Sequence, residues 1–180
     1  KYANELKNNT ELEKDAQSLL LKWEQNDTET INLWKTMNKW AIDGIKETYK
    51  RMGIDFNTFE YESEVYKYGK EIVNEGLKKG VFYKNDDGSV WVNNEYVGLD
   101  KKALLRGDGT SIYITQDIGT AVNKSKKYNF NRMLYVVGSE QIYHFKTLFA
   151  IIKKLGYDWG DNCVHVSYGM VNLPEGKMKS

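Results

Sequence analysis

The sequence has a single cysteine, Cys163, in 180 residues, so an internal disulfide is excluded. Two histidines and that one cysteine do not make a structural zinc site by themselves, and no C-x-x-C spacing occurs. The setting of the thiol, Asn162-Cys163-Val164-His165-Val166, alternates as a strand does, and a buried thiol is ordinary there. No apolar run reaches the ~18 residues of a membrane span, and the amino end has no secretory leader pattern. We therefore expect a chain of the reducing cytoplasm with no membrane association. An excess of either charge is missing too: 26 basic and 25 acidic side chains leave a formal +1, which gives no case for strong sequence-independent nucleic-acid binding. The local basic clusters, Lys78-Lys79, Lys101-Lys102, Lys124 to Lys127 and Lys153-Lys154, fall at helix ends or turns and read as solvated surface.

What is present is enough for a folded core. Hydrophobic residues make up 41% and aromatics 13%, spread over the whole length, which offsets chain entropy and excludes a disordered tail. Leu12, Ala16, Leu19, Leu20 and Trp23 recur at helical steps, as do Ile31, Trp34, Met37, Ala41, Ile45 and Tyr49. Two amphipathic helices follow, broken near Gln25 to Asp27, with Thr28 as N-cap and Gly53 as the stop. Trp23, Trp34 and Trp40 are expected to pack between them. Ile54 to Tyr61 alternates weakly as a short strand would, and Glu64 to Lys79 is helical up to Gly80.

The chain then changes character. Val81 to Val92 reads as a β-hairpin around Asn85-Asp86-Asp87-Gly88, and strands continue over Lys102 to Leu105 and Ser111 to Ile114 about a Gly107-Asp108-Gly109 turn. We expect Val81 to Leu105 to be a small β-rich insertion packing away from the main sheet, with Phe82 or Trp91 in a satellite cluster. Beyond Thr115, helix and strand alternate: a helix from Asp117 to Lys126, a strand at Met133 to Val137, a helix from Glu140 to Leu155, and a strand at Cys163 to Tyr168. The first of these strands is nearly all apolar, as a parallel strand covered on both faces is. Alternation of this kind predicts a doubly wound α/β sheet whose ligands sit at the carboxyl ends of the strands, next to Gly138 and Ser139.

Two polar pairs fall at that edge. Asp117 follows Tyr113 by four residues at a predicted strand-to-helix transition, and Gln141 and His144 share a helix face three residues apart. Read alone, Tyr-x-x-x-Asp also describes a helix-start aspartate beside a half-buried tyrosine. Together the pairs offer the acceptors that a planar guanidinium requires: the Asp117 carboxylate, the Gln141 amide oxygen and the Tyr113 phenol. His144 is read either as a neutral imidazole against a nucleotide or as a structural histidine of its helix.

The run from Leu105 to Ala121, the Gly138-Ser139-Glu140-Gln141-Ile142-Tyr143-His144 segment and the ending Asn172-Leu173-Pro174-Glu175-Gly176-Lys177-Met178-Lys179-Ser180 resemble the second half of the catalytic domain of class I aminoacyl-tRNA synthetases, closest to the arginyl-tRNA synthetase family. Trp23, Leu33-Trp34, Thr48 to Arg51 and Tyr61-Glu62-Ser63 are similar to that family's helical insertion. The resemblance implies L-arginine binding by Tyr113, Asp117 and Gln141. It also implies ATP contacts at Gly138, His144, Met170 and Lys177, and a phosphate-neutralising catalytic loop carrying Lys177 and Lys179, with magnesium accompanying ATP. The expected architecture is half of a doubly wound, Rossmann-like α/β sheet: residues 1–105 form a helical and β-hairpin insertion, and residues 106–180 the second half of the nucleotide-binding domain. The family's His-Ile-Gly-His element does not occur in the chain, so a fragment, inactive alone, is expected from a monomeric parent that joins arginine to tRNA(Arg). The alternative is a non-catalytic nucleotide-binding or regulatory module derived from such an enzyme.

Overall fold

The computed structural model describes residues 9–177. They form two compact units, one ending at Phe59 and the other beginning at Glu60.

The first unit is built on α1 (Thr10–Glu24) and α2 (Thr28–Met52). Asn9 caps α1 by accepting from the amides of Glu11 and Leu12. Asp27, not Thr28, caps α2: its carboxylate takes the Thr30 amide at 2.9 Å and the Thr30 hydroxyl at 2.7 Å. The bond from the Thr30 amide, which exists only at a helix start, holds the Asp27 carboxyl below its ordinary pKa. Gly53 stops α2 with φ 68°, a left-handed position that suits glycine. Trp23 and Trp34 meet edge to face at 5.5 Å, but Trp40 lies exposed, and α2 buries none of its residues. The strand expected near Ile54 does not form. Phe56 and Phe59 fold back on the end of α2 instead, Phe56 against Tyr49 at 5.0 Å and Phe59 beneath the Lys46 ammonium at 5.1 Å.

The second unit begins with α3 (Glu62–Lys78), followed by an antiparallel sheet of β1 (Tyr83–Lys84), β2 (Val90–Val92) and β3 (Lys102–Leu105) in that order. The predicted hairpin turn is there: Gly88 has φ 85°, and Asp87 accepts from the Ser89 amide. Its expected isolation is not. Phe82, Val90, Val92, Leu104 and Leu105 share one core with Ile118, Val122, Leu148, Ile151 and Ile152, because strands this short have an apolar face that only the helices can cover. Between β2 and β3 a turn over Glu95–Val97 is strapped along a later helix, α5 (Ile142–Lys154). Tyr143 donates to the Asp100 carboxylate at 2.6 Å and accepts from its amide, while Lys154 reaches the Asn93 carbonyl and lies over the Tyr96 ring.

After a tight turn closed by Gly109 at φ 79°, Ser111 bridges to Leu105 and the chain enters α4 (Tyr113–Lys127). This helix starts four residues before the position expected from its pattern. The Ile112-Tyr113-Ile114 triplet has strand-like composition, but the Thr115 hydroxyl bonds the Leu104 carbonyl and ties the first helical turn to β3. The strands β4 (Met133–Gly138) and β5 (Cys163–Tyr168) then pair in parallel through six in-register partners, from Met133 with Cys163 to Gly138 with Tyr168, and α5 lies between them in sequence. One face of this pair meets the core through Tyr135 and Val137, with Tyr135 against Phe145 of α5. The other, with Leu134, Val136, Val164 and Val166, is exposed, so the expectation of cover on both faces is corrected. A last short hairpin joins β6 (Asn172–Leu173) to β7 (Gly176–Lys177). Among the described residues, no helix is long and apolar enough to cross a membrane.

Candidate functional site

Three chain segments reach the carboxyl ends of β4 and β5. Gly138 ends β4, and a side chain built there would meet nothing within 4 Å, so the backbone is open to approach. A single turn over Ser139–Gln141 leads into α5, placing Gln141 at its N-cap, exposed, and His144 in its first turn. On α4, Tyr113 is the first residue and 83% exposed; Asp117 follows one turn later on the same face.

The second turn of α4 and the first turn of α5 are joined by one contact. His144 Nε2 lies 2.6 Å from Asp117 Oδ2, with the histidine side chain 23% exposed and the aspartate 46%. An ionised carboxylate only accepts, so Nε2 carries the hydrogen. The imidazole stands edge-on to Phe145 at 5.6 Å, and the Phe145 ring lies 4.5 Å from that of His165. His165 in turn bonds the Val137 carbonyl through Nε2 at 2.9 Å and thereby fixes the end of β4. Tyr135 sits under this group with its hydroxyl buried and unpartnered. Burial first, and then the charges of Cys163 and Asp117, push its pKa up, so the phenol stays protonated.

Of the residues expected from sequence, the structure thus joins Asp117 to His144 directly, sets Tyr113 one turn from Asp117, and puts Gln141 one turn from His144. Met170 is exposed in the loop after β5, and Lys177 ends β7. Lys179 lies outside the described residues. Cys163 is buried, and burial pushes its thiol pKa up to about 11, which removes it as a nucleophile near neutral pH. Sequence reasoning missed the supports: Tyr143 with Asp100, and His165 with Val137. The signal for His165 was legible as a histidine on a strand facing Tyr135 across the parallel pair, but its role needed the register. Among the described residues, no three of histidine, cysteine, aspartate and glutamate gather as a metal site would require.

The family described as tRNA synthetases class I (R), catalytic domain, matches residues 1–180 of the chain. An arginine--tRNA ligase of Treponema denticola is 58% identical over 181 residues, covering 100% of this chain and 30% of that protein. One from Phocaeicola vulgatus is 56% identical over 172 residues, with 96% and 28% covered. The chain therefore spans about 30% of the length of the curated relatives it matches. In fold it is similar to the arginyl-tRNA synthetase of Plasmodium falciparum, with a TM-score of 0.77 at 20% identity over 89% of this chain and 28% of that one. That of Thermus thermophilus gives a TM-score of 0.63 at 15% identity, with 87% and 35% covered. With the family matched from end to end and the same α/β layout recurring in these structures, the chain belongs to the catalytic-domain family of class I tRNA synthetases of the arginine type.

Proposed function

We propose that the protein containing this chain is a cytoplasmic, monomeric arginine–tRNA ligase, and that this segment holds the arginine pocket and part of the ATP site. In the first reaction the carboxylate of L-arginine attacks the α-phosphorus of ATP, the bond to the β-phosphate breaks, and pyrophosphate leaves. In the second, a terminal ribose hydroxyl of tRNA(Arg) attacks the activated carbonyl and AMP departs. Magnesium enters as part of the ATP substrate, held mainly by its phosphates, as Mg²⁺ commonly is.

The observation that carries this reading is the half-exposed Asp117 carboxylate, one turn after Tyr113 on α4 and bonded to His144, itself one turn after Gln141. Such a set supplies a guanidinium with a counter-ion and further acceptors, and it offers nothing comparable to a neutral side chain. Gly138, Met170 and Lys177 lie at or beyond the strand ends, where open α/β sheets bind nucleotides. Lys177, with Lys179 beyond it, would neutralise phosphate charge as pyrophosphate departs. No side-chain nucleophile is required, since the chemistry rests on positioning and charge.

The test is ATP–pyrophosphate exchange by the full-length protein, with each amino acid offered in turn and tRNA(Arg) present. Exchange dependent on arginine, and silent with lysine and citrulline, supports the reading. Exchange driven by another amino acid, or by none, overturns it.

A further inference from the structure

We propose that His144 is a positioning residue of the arginine pocket, orienting the Asp117 carboxylate, rather than a ligand of the nucleotide. The inference rests on the arginine reading of the site and adds a residue to it.

Asp117 is 46% exposed, one turn into α4, and its side chain is free to rotate toward solvent. A guanidinium is a rigid planar fork, so a carboxylate that is to grip it with two parallel bonds must have its plane set beforehand. His144 supplies that setting. Its Nε2–H, at 2.6 Å, takes one lone pair of Oδ2 and leaves Oδ1 and the second lone pair of Oδ2 for a ligand. The imidazole is itself held, 23% exposed and edge-on to Phe145, whose own ring is buried at 7% exposure and packs on His165. His165 is fastened to the Val137 carbonyl, so the orientation of Asp117 is referred through three rings to the end of β4. Nε2 is engaged in this chain, and a nucleotide could claim it only by releasing Asp117.

The experiment measures KM for arginine and for ATP in pyrophosphate exchange by the full-length protein, for the unsubstituted enzyme, His144→Ala, His144→Gln and Asp117→Asn. Loss of a charge-assisted hydrogen bond that orients the counter-ion should raise the arginine KM about tenfold in His144→Ala and leave the ATP KM within about twofold. His144→Gln keeps an N–H donor and should recover most of the arginine affinity. A raised ATP KM with unchanged arginine KM overturns the inference in favour of a nucleotide ligand. Equal losses in both variants overturn it in favour of a packing role, and no change in either shows the contact to be idle. If His144→Ala does not fold, the ¹⁵N spectrum of histidine-labelled, unsubstituted enzyme decides. The His144 Nε2–H signal should move on adding arginine and not on adding ATP; the converse refutes the inference. Asp117→Asn separates the two levels: unchanged arginine KM there removes the arginine pocket itself, whereas a raised one beside silent His144 variants removes this inference alone.

Discussion

Glu60 closes the second unit on itself. Its side chain is 12% exposed, bonded to Lys127 at 2.9 Å, paired with Lys124 at 3.6 Å and bonded by the Tyr128 hydroxyl at 3.2 Å. Burial pushes its pKa up, but the Lys127 bond and the two ammonium charges outweigh that and bring it below the ordinary value. A depressed folded-state value means that the group stabilises the fold at pH above the unfolded glutamate range, and that this contribution disappears as pH falls through the folded value. Glu60→Gln should therefore lower stability near neutrality by about 1 kcal/mol in urea unfolding and flatten the acid limb of the stability profile. An unchanged acid limb would remove the ion pair from the account. At the candidate pocket, Asp117→Asn should raise the arginine KM at least about tenfold, the equivalent of ~1.4 kcal/mol, with the ATP KM little changed. Lys177→Ala should instead slow exchange with a smaller effect on arginine, because phosphate charge is redistributed in the transition state. The helix positions of Asp117 and of the Gln141–His144 pair were legible in the sequence because their spacing is local, while their proposed roles rest on the family resemblance. The partner of His144 was not, since that contact joins residues 27 positions apart through the packing of two helices.

Helices α3 and α4 approach until their backbones touch at two glycines. A Cβ built on Gly119 would stand 2.4 Å from the Gly69 nitrogen and 2.8 Å from its Cα, and one on Gly69 would meet the Thr115 carbonyl at 2.3 Å. Backbone on both sides leaves no flexible side chain to yield, so Gly119→Ala should destabilise the second unit by about 2 kcal/mol or more in denaturant unfolding. Gly44 in the middle of α2 is the contrast: a Cβ there meets nothing within 4 Å, and Gly44→Ala should be neutral or stabilising by up to about 1 kcal/mol. A neutral Gly119→Ala would refute the close approach. Sequence periodicity revealed the long helices and the parallel strands, since those patterns arise within each element. It misread the start of α4, where β-branched residues argue for a strand but the Thr115–Leu104 bond wins. It also foresaw the hairpin without its place in the core, because what covers a short sheet depends on helices elsewhere in the chain.

At the scale of the molecule, the β4–β5 pair shows water an apolar face on which Leu134 is 57% and Val136 67% exposed. Parallel strands are normally covered on both sides, so the 180-residue chain by itself should bind a hydrophobic dye and self-associate in sedimentation velocity. Leu134→Lys with Val136→Lys should reduce both without loss of helical signal, and association unchanged by the pair would place the sticky surface elsewhere. The face was hidden from sequence reading because an all-apolar strand looks the same whether or not its second cover lies within the segment, and the curated relatives are about three times as long as this chain. The register of the same two strands reaches further. Gly138 and Tyr168 leave the sheet level with one another, so the segment that carries Gln141 and His144 and the segment that leads to Lys177 set out from a common rim. Six residue pairs thus act as a ruler between the proposed arginine pocket and the proposed phosphate site. A slip of one residue would shift one rim by about 3.3 Å against the other and turn every side chain of the strand to its opposite face, an error far larger than an in-line displacement tolerates.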